Sequence, residues 1–147
     1  METIPLREKK TWASYDLTNF PIVNVKLKGK INSEEDFNHF TNEWLEVYKL
    51  NQKFNFVFDA TEVGAVSMKY AFKMGDFIKK LKREYDNSIL KSSIIITNSR
   101  WVRFLLKVTF WSESPVAPVY VTDVRKNTDI KPLLNNVNND KNVSCYK

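Results

Sequence analysis

The sequence predicts a single α/β domain, built on a mainly parallel sheet of about five strands with an antiparallel hairpin at one edge and about four crossover helices. Three observations carry this. The short apolar runs at 54 to 59, 92 to 98 and 117 to 123 have the length and the β-branched or aromatic content of buried strands. Amphipathic stretches of helical period separate them. Regular alternation of the two implies right-handed crossovers between parallel neighbours.

Residues 11 to 31 read as two extended segments. In PIVNVKLKGK, Val23, Val25 and Leu27 alternate with Asn24, Lys26 and Lys28, the period of a strand with one wet face at an edge or in an antiparallel pair. Ser33 opens a helix, because its hydroxyl can accept free amides while Glu34, Glu35 and Asp36 favour the positive end of the macrodipole. Phe37, Phe40, Trp44, Val47 and Tyr48 share one face and carry that helix to about residue 50. FNFVFD, 54 to 59, is a strand buried on both faces.

A second helix runs from Ser67 to about Tyr85, with Tyr70, Ala71, Met74, Phe77, Ile78 and Leu81 inward and Lys69, Lys73, Lys80 and Arg83 outward. SSIIITN is the next strand, Ser99 caps a third helix, RWVRFLLKVTFW, and that helix stops before Pro115. APVYVTD is the last strand, and Thr128 or Asp129 caps a short helix with Pro132 in its first turn. Residues 1 to 10 are an N-terminal extension, 11 to 135 the domain, and 136 to 147 a polar tail expected to be disordered.

Composition narrows the function classes. With 43% hydrophobic residues, ten Phe, six Tyr, four Trp and only three Gly among 147 residues, the chain lies outside the disordered range. A single cysteine, Cys145, excludes an internal disulfide and a cysteine metal cluster, and fits a reducing compartment. METIPLREKK lacks the apolar core of a signal peptide, and no window nears the roughly 18 apolar residues of a membrane span, so a cytoplasmic location is expected and the sequon at Asn142 stays idle. The net charge of +6 is unevenly spread: residues 33 to 50 hold five acidic groups against Lys49, whereas residues 67 to 107 hold ten basic groups against three acidic ones.

Ligands of open parallel sheets gather beyond the carboxyl ends of the strands. Here that edge collects Asp59, Thr61 and Glu62, then Ser67 and Lys69, then Asn98 and Ser99, and finally Thr122 and Asp123. These residues either bind an anion or a partner there, or simply cap helices and turn the chain, which Ser, Thr, Asn and Asp do by preference. His39 is the only histidine and lies mid-helix, far from that edge. Asp59 with Glu62 is the sole pair suited to a hard cation, and Gly64 alone makes no phosphate loop. No metal site, cofactor or catalytic set is therefore expected. The basic second helix suits a solvated face or an anionic membrane; it lacks the aromatic pattern of an RNA binder, so nucleic acid is not expected. The third helix is apolar nearly all round, so it packs in the core or offers Phe104, Phe110 or Trp111 to a second copy, a partner or lipid.

The element order over residues 12 to 134, the phrase VFDATEV and the segment NSRWVRFLLKVTFWSESPVAPVYVTD together resemble a STAS domain, and within that group the SpoIIAA-like family, whose architecture is shared with the Sec14 lipid-transfer fold. In the anti-sigma factor antagonists of this family, a loop aspartate and the serine after it form a phosphorylatable switch. Those two positions fall here on Ser67 and Met68, and the glycine that follows in the family is absent, so the acceptor is missing. The resemblance implies a non-catalytic regulatory or protein-interaction module with residues 59 to 69 as recognition surface. Lipid or anionic-membrane binding through the hydrophobic third helix and basic second helix is the alternative.

Overall fold

The computed structural model describes residues 12–123 and 144–147. Its elements run β1 (Ala13–Asp16), β2 (Ile22–Gly29), α1 (Glu34–Tyr48), β3 (Phe54–Val63), α2 (Lys69–Glu84), β4 (Leu90–Ile96), α3 (Arg100–Ser112), β5 (Val119–Thr122) and β6 (Ser144–Tyr146). The expected N-terminal extension and the short helix near Thr128 and Asp129 lie outside the described residues. The strands make one six-stranded sheet in sequence order, β1 to β6. The three inner pairings, β2 with β3, β3 with β4 and β4 with β5, are parallel; the two outer ones are antiparallel.

This order fixes where the helices sit. Each right-handed crossover moves one strand further in the same direction, so α1, α2 and α3 all cover one face of the sheet. The core confirms it: alternate strand residues Val23, Val25, Phe54, Phe56, Phe58, Val119 and Val121 cluster with Phe40, Trp44, Tyr70, Leu81 and Leu105 from the helices. Trp44 is the hub, with ring centroids 4.6 Å from Phe56, 5.3 Å from Phe77, 5.6 Å from Phe58 and 5.8 Å from Phe40. Such pairs contribute about 1 kcal/mol each beyond area burial. On the opposite face Val57 and Ile94 are also buried, the latter fully, so the central strands are covered on both sides as the consecutive apolar residues 56–58 and 94–96 predict.

Helix starts follow the expected chemistry in two cases out of three. Ser33 Oγ accepts from Asp36 N, and Ser99 Oγ accepts from Val102 N at 3.1 Å, a cap contributing about 1 kcal/mol. Helix α2 begins later than predicted, at Lys69, and its N-cap Met68 supplies no side-chain acceptor. Between α2 and α3 the backbones approach closely at Gly75, where an added Cβ would stand 2.5 Å from Ser112 Oγ.

Two expectations are corrected. The first concerns the C-terminal tail, where residues 144 to 146 form β6 against β5, with Tyr120 opposite Cys145 and the Tyr146 ring 5.0 Å from Phe110. Five strands thus become six. The second is β3, which does not end at Asp59 but continues to Val63.

Candidate functional site

The prolongation of β3 shortens the predicted recognition loop to residues 64–68. Pairing with β2 shifts register between Lys26 and Lys28, placing Asp59 opposite Lys26 and Glu62 opposite Lys28. Strand alternation sends Phe58 and Ala60 into the core and Asp59 to the face without the described helices. There Lys26 Nζ stands 2.6 Å from Glu62 Oε2 and 3.7 Å from Asp59 Oδ2, with Lys28 Nζ 3.8 Å from Glu62 Oε1. The lysine ammonium therefore occupies the place a hard cation would need. Among the described residues no three His, Cys, Asp or Glu side chains gather as a metal site. Partial burial of Asp59 works against its charge, but the Thr61 hydroxyl, 2.6 Å from Oδ1, and the Thr61 amide at 3.0 Å, aided by Lys26, hold its carboxyl below the usual range. Glu62 is held below its usual range by Lys26.

The remaining predicted residues serve the fold as well. Ser67 is exposed, and its Oγ accepts from Lys69 N at 3.3 Å. Lys69 reaches Glu34 of α1 at 3.3 Å beside Lys73 at 2.7 Å, tying the starts of α1 and α2 together. Asn98 is exposed next to the Ser99 cap, and Ser99 N donates to Thr97 Oγ1 at 3.1 Å. Asp123 accepts from Arg103 Nη2 at 2.9 Å, while Arg103 Nη1 donates to Ser144 Oγ at 3.2 Å. The structure thus joins Ser99, Arg103 and Asp123 at the β4 and β5 end, while Asp59 and Glu62 pair with Lys26 and Lys28 on β2. His39 pairs with Glu43, 3.1 Å away on α1.

What stands out instead is the outer surface of α2 and α3. Trp101, Phe104, Lys107 and Trp111 recur at helical spacing on the outward side of α3, because Val102, Leu105 and Thr109 claim the inward side. Trp101 and Phe104 stack with centroids 5.6 Å apart, and Trp101 Nε1 donates to Val66 O at 2.8 Å. Trp111 is 83% exposed and Phe104 44%. Met68 at the N-cap of α2 and Phe72 in its first turns are further exposed apolar residues. Of the three apolar contacts expected from the sequence, Phe110 is corrected: it packs against Tyr146 and lines an internal space rather than facing outward. Lys79, Lys80 and Arg83 on α2 and Arg100 and Lys107 on α3 are exposed basic residues of the same two helices.

Beneath the helices lies a cavity of about 160 Å³. Its lining runs from Leu27 through Phe58, Ala60 and Ile95 to Val119 on the sheet side, with Tyr70, Met74 and Leu105 among the helix residues, and includes no charged side chain. The sequence reading missed this space. Its one local trace is the small side chains Ala60, Ala71, Ser93 and Ala117 at inward positions of an otherwise aromatic core.

No protein-family model matches the chain. No curated protein matches it either. The crystal structure of an uncharacterized protein of the DUF3478 family with a SpoIIAA-like fold, from Shewanella loihica PV-4, is similar to it at 16% identity over 84% of this chain and 90% of that one, with a TM-score of 0.49. The chain itself is a mixed α/β protein with a mostly parallel sheet.

Proposed function

We propose that this chain is a non-catalytic binding module whose working surface is the outer side of α2 and α3, and that this surface docks on a membrane carrying acidic lipid. The observation that carries the reading is the exposed stripe of Trp101, Phe104 and Trp111 on α3, with exposed lysine and arginine side chains on the same helix and on α2. Aromatic rings settle at the headgroup boundary while basic side chains meet anionic lipid, each contributing about 1 kcal/mol near the surface. No helix among the described residues is long and apolar enough to cross a membrane, so the contact is peripheral. A symmetric dimer through the same surface would set its basic residues against their own copies, which opposes association. The absence of catalysis is supported by the engagement of Ser67, Ser99 and His39 in capping and pairing.

Flotation with phosphatidylcholine vesicles, with and without phosphatidylserine, tests this. Binding is expected with phosphatidylserine at low salt and declines as salt screens the charges. Failure to float with acidic vesicles at low salt would overturn the proposal.

A further inference from the structure

We propose that Glu34 is a built-in competitor for membrane docking: in the free protein its carboxylate occupies Lys69 and Lys73, and an acidic lipid headgroup must displace it to reach them. The proposal rests on the docking reading above and adds a brake to it.

Lys69 and Lys73 stand one turn apart at the start of α2, and Phe72, 46% exposed, lies between them in sequence. Positions i, i+3 and i+4 are neighbours on a helix surface, so the two ammonium groups and the ring share one flank. Trp101 of the α3 stripe donates to Val66 O, three residues before Lys69, and so reaches the entry of α2. Two cations beside exposed rings are what an anionic interface recruits. Both are already engaged. Glu34 gives one carboxylate oxygen to each: Oε2 is 3.3 Å from Lys69 Nζ and Oε1 is 2.7 Å from Lys73 Nζ. Lys69 Nζ also stands over the Tyr70 ring, 5.1 Å from its centroid.

The contact persists at neutral pH and is still easily exchanged. Lys73, aided by Lys69, holds the Glu34 carboxyl below its usual range, so it stays charged. Yet the side chains of Lys69, Lys73 and Glu34 are 58%, 40% and 51% exposed, and ion pairs this wet are weak. A headgroup phosphodiester offers the same charge on two free oxygens, so it can take the place of Glu34. Losing the carboxylate costs the fold little, because Ser33 caps α1 and Glu35 and Asp36 remain in its first turn.

The full chain is titrated with phosphatidylserine-containing vesicles at about 0.1 M salt and followed by cosedimentation. E34Q should bind about fivefold tighter than the wild type, the effect of one charge near an acidic surface. Glu46→Gln removes an equal charge roughly 18 Å further along α1, beyond a Debye length, and should change affinity by less than about twofold. Lys69→Gln with Lys73→Gln separates occupation from plain charge. In the wild-type background the pair should cost less than about threefold, because Glu34 already holds both lysines; in the E34Q background it should cost about twentyfold. Long-range charge alone gives additive losses. Urea midpoints within the range of surface substitutions confirm that the variants fold. An E34Q chain no tighter than a wild type that binds, or equal losses in both backgrounds, removes the brake and leaves docking standing. Absence of binding by both the wild type and E34Q defeats docking and the brake together.

Discussion

Replacing Trp111 by serine separates surface function from folding. The indole is 83% exposed, so of the roughly 200 Å² a tryptophan presents, about 170 Å² is free to be covered by a partner. At about 25 cal/mol per Å², complete transfer from water is worth ~4 kcal/mol. A ring lodged half its depth at the headgroup boundary contributes half of that, ~2 kcal/mol, or about thirtyfold in partition coefficient. W111S should therefore lower binding to phosphatidylserine-containing vesicles about thirtyfold, measured by cosedimentation over a lipid titration. Its urea midpoint should hardly move, since surface changes stay within about 0.5 kcal/mol. An unchanged partition coefficient would refute the assignment of this stripe. So would a large loss of stability, because it would mean that Trp111 packs in the fold.

Gly75→Ala should be close to neutral in urea unfolding, because a helix-propensity gain of about 1 kcal/mol is offset by driving Ser112 Oγ from its hydrogen bond to Thr109 O, worth about as much; adding Ser112→Ala should recover the gain, and a double variant no more stable than the single one would contradict the close approach of α2 and α3. Asp59→Asn should flatten the acid limb of the stability curve: a carboxyl held low in the folded state stabilises above its unfolded pKa near 3.9 and loses that contribution as pH falls, so an unchanged slope below pH ~4 would count against the Thr61 and Lys26 contacts. At the other extreme, burial pushes the Tyr48 hydroxyl up to about 12, opposed by Trp44. Its stabilising effect is complete below the unfolded pKa near 10 and disappears as pH rises towards 12. Tyr48→Phe should thus resist alkaline unfolding in that window, and because Tyr48 Oη is buried without a well-formed hydrogen bond it should also gain about 1 kcal/mol at neutral pH, both read by circular dichroism.

The sequence displayed most of the architecture because local signals and burial agree there. Ser99 stands where the α3 amides need an acceptor, and the runs FVF (56–58) and III (94–96) are apolar at consecutive positions because both sides of β3 and β4 are covered. Asp59 to Glu62 read as a turn because Asp and Thr favour turns; only the register with β2, which brings Lys26 and Lys28 alongside, keeps them extended. That register is a tertiary fact, absent from any local window. Residues 144 to 146 likewise carry no strong strand preference, and they become a strand because Val119 to Val121 offer a free edge. The cavity is harder still to read, since Ala60, Ala71, Ser93 and Ala117 make a space only when four separate segments meet. The aromatic stripe of α3 was visible as an excess of apolar residues, but which ones face outward depends on how α3 lies on the sheet.

The two antiparallel outer strands have a further consequence. A stack of parallel strand and helix units, all wound to one side, could in principle lengthen indefinitely or join another copy end to end. Here β1, four residues long, and β6, only three, close the two ends with strands of reversed direction. Little ladder is left for a neighbour to extend, and growth by strand addition is curtailed at both margins.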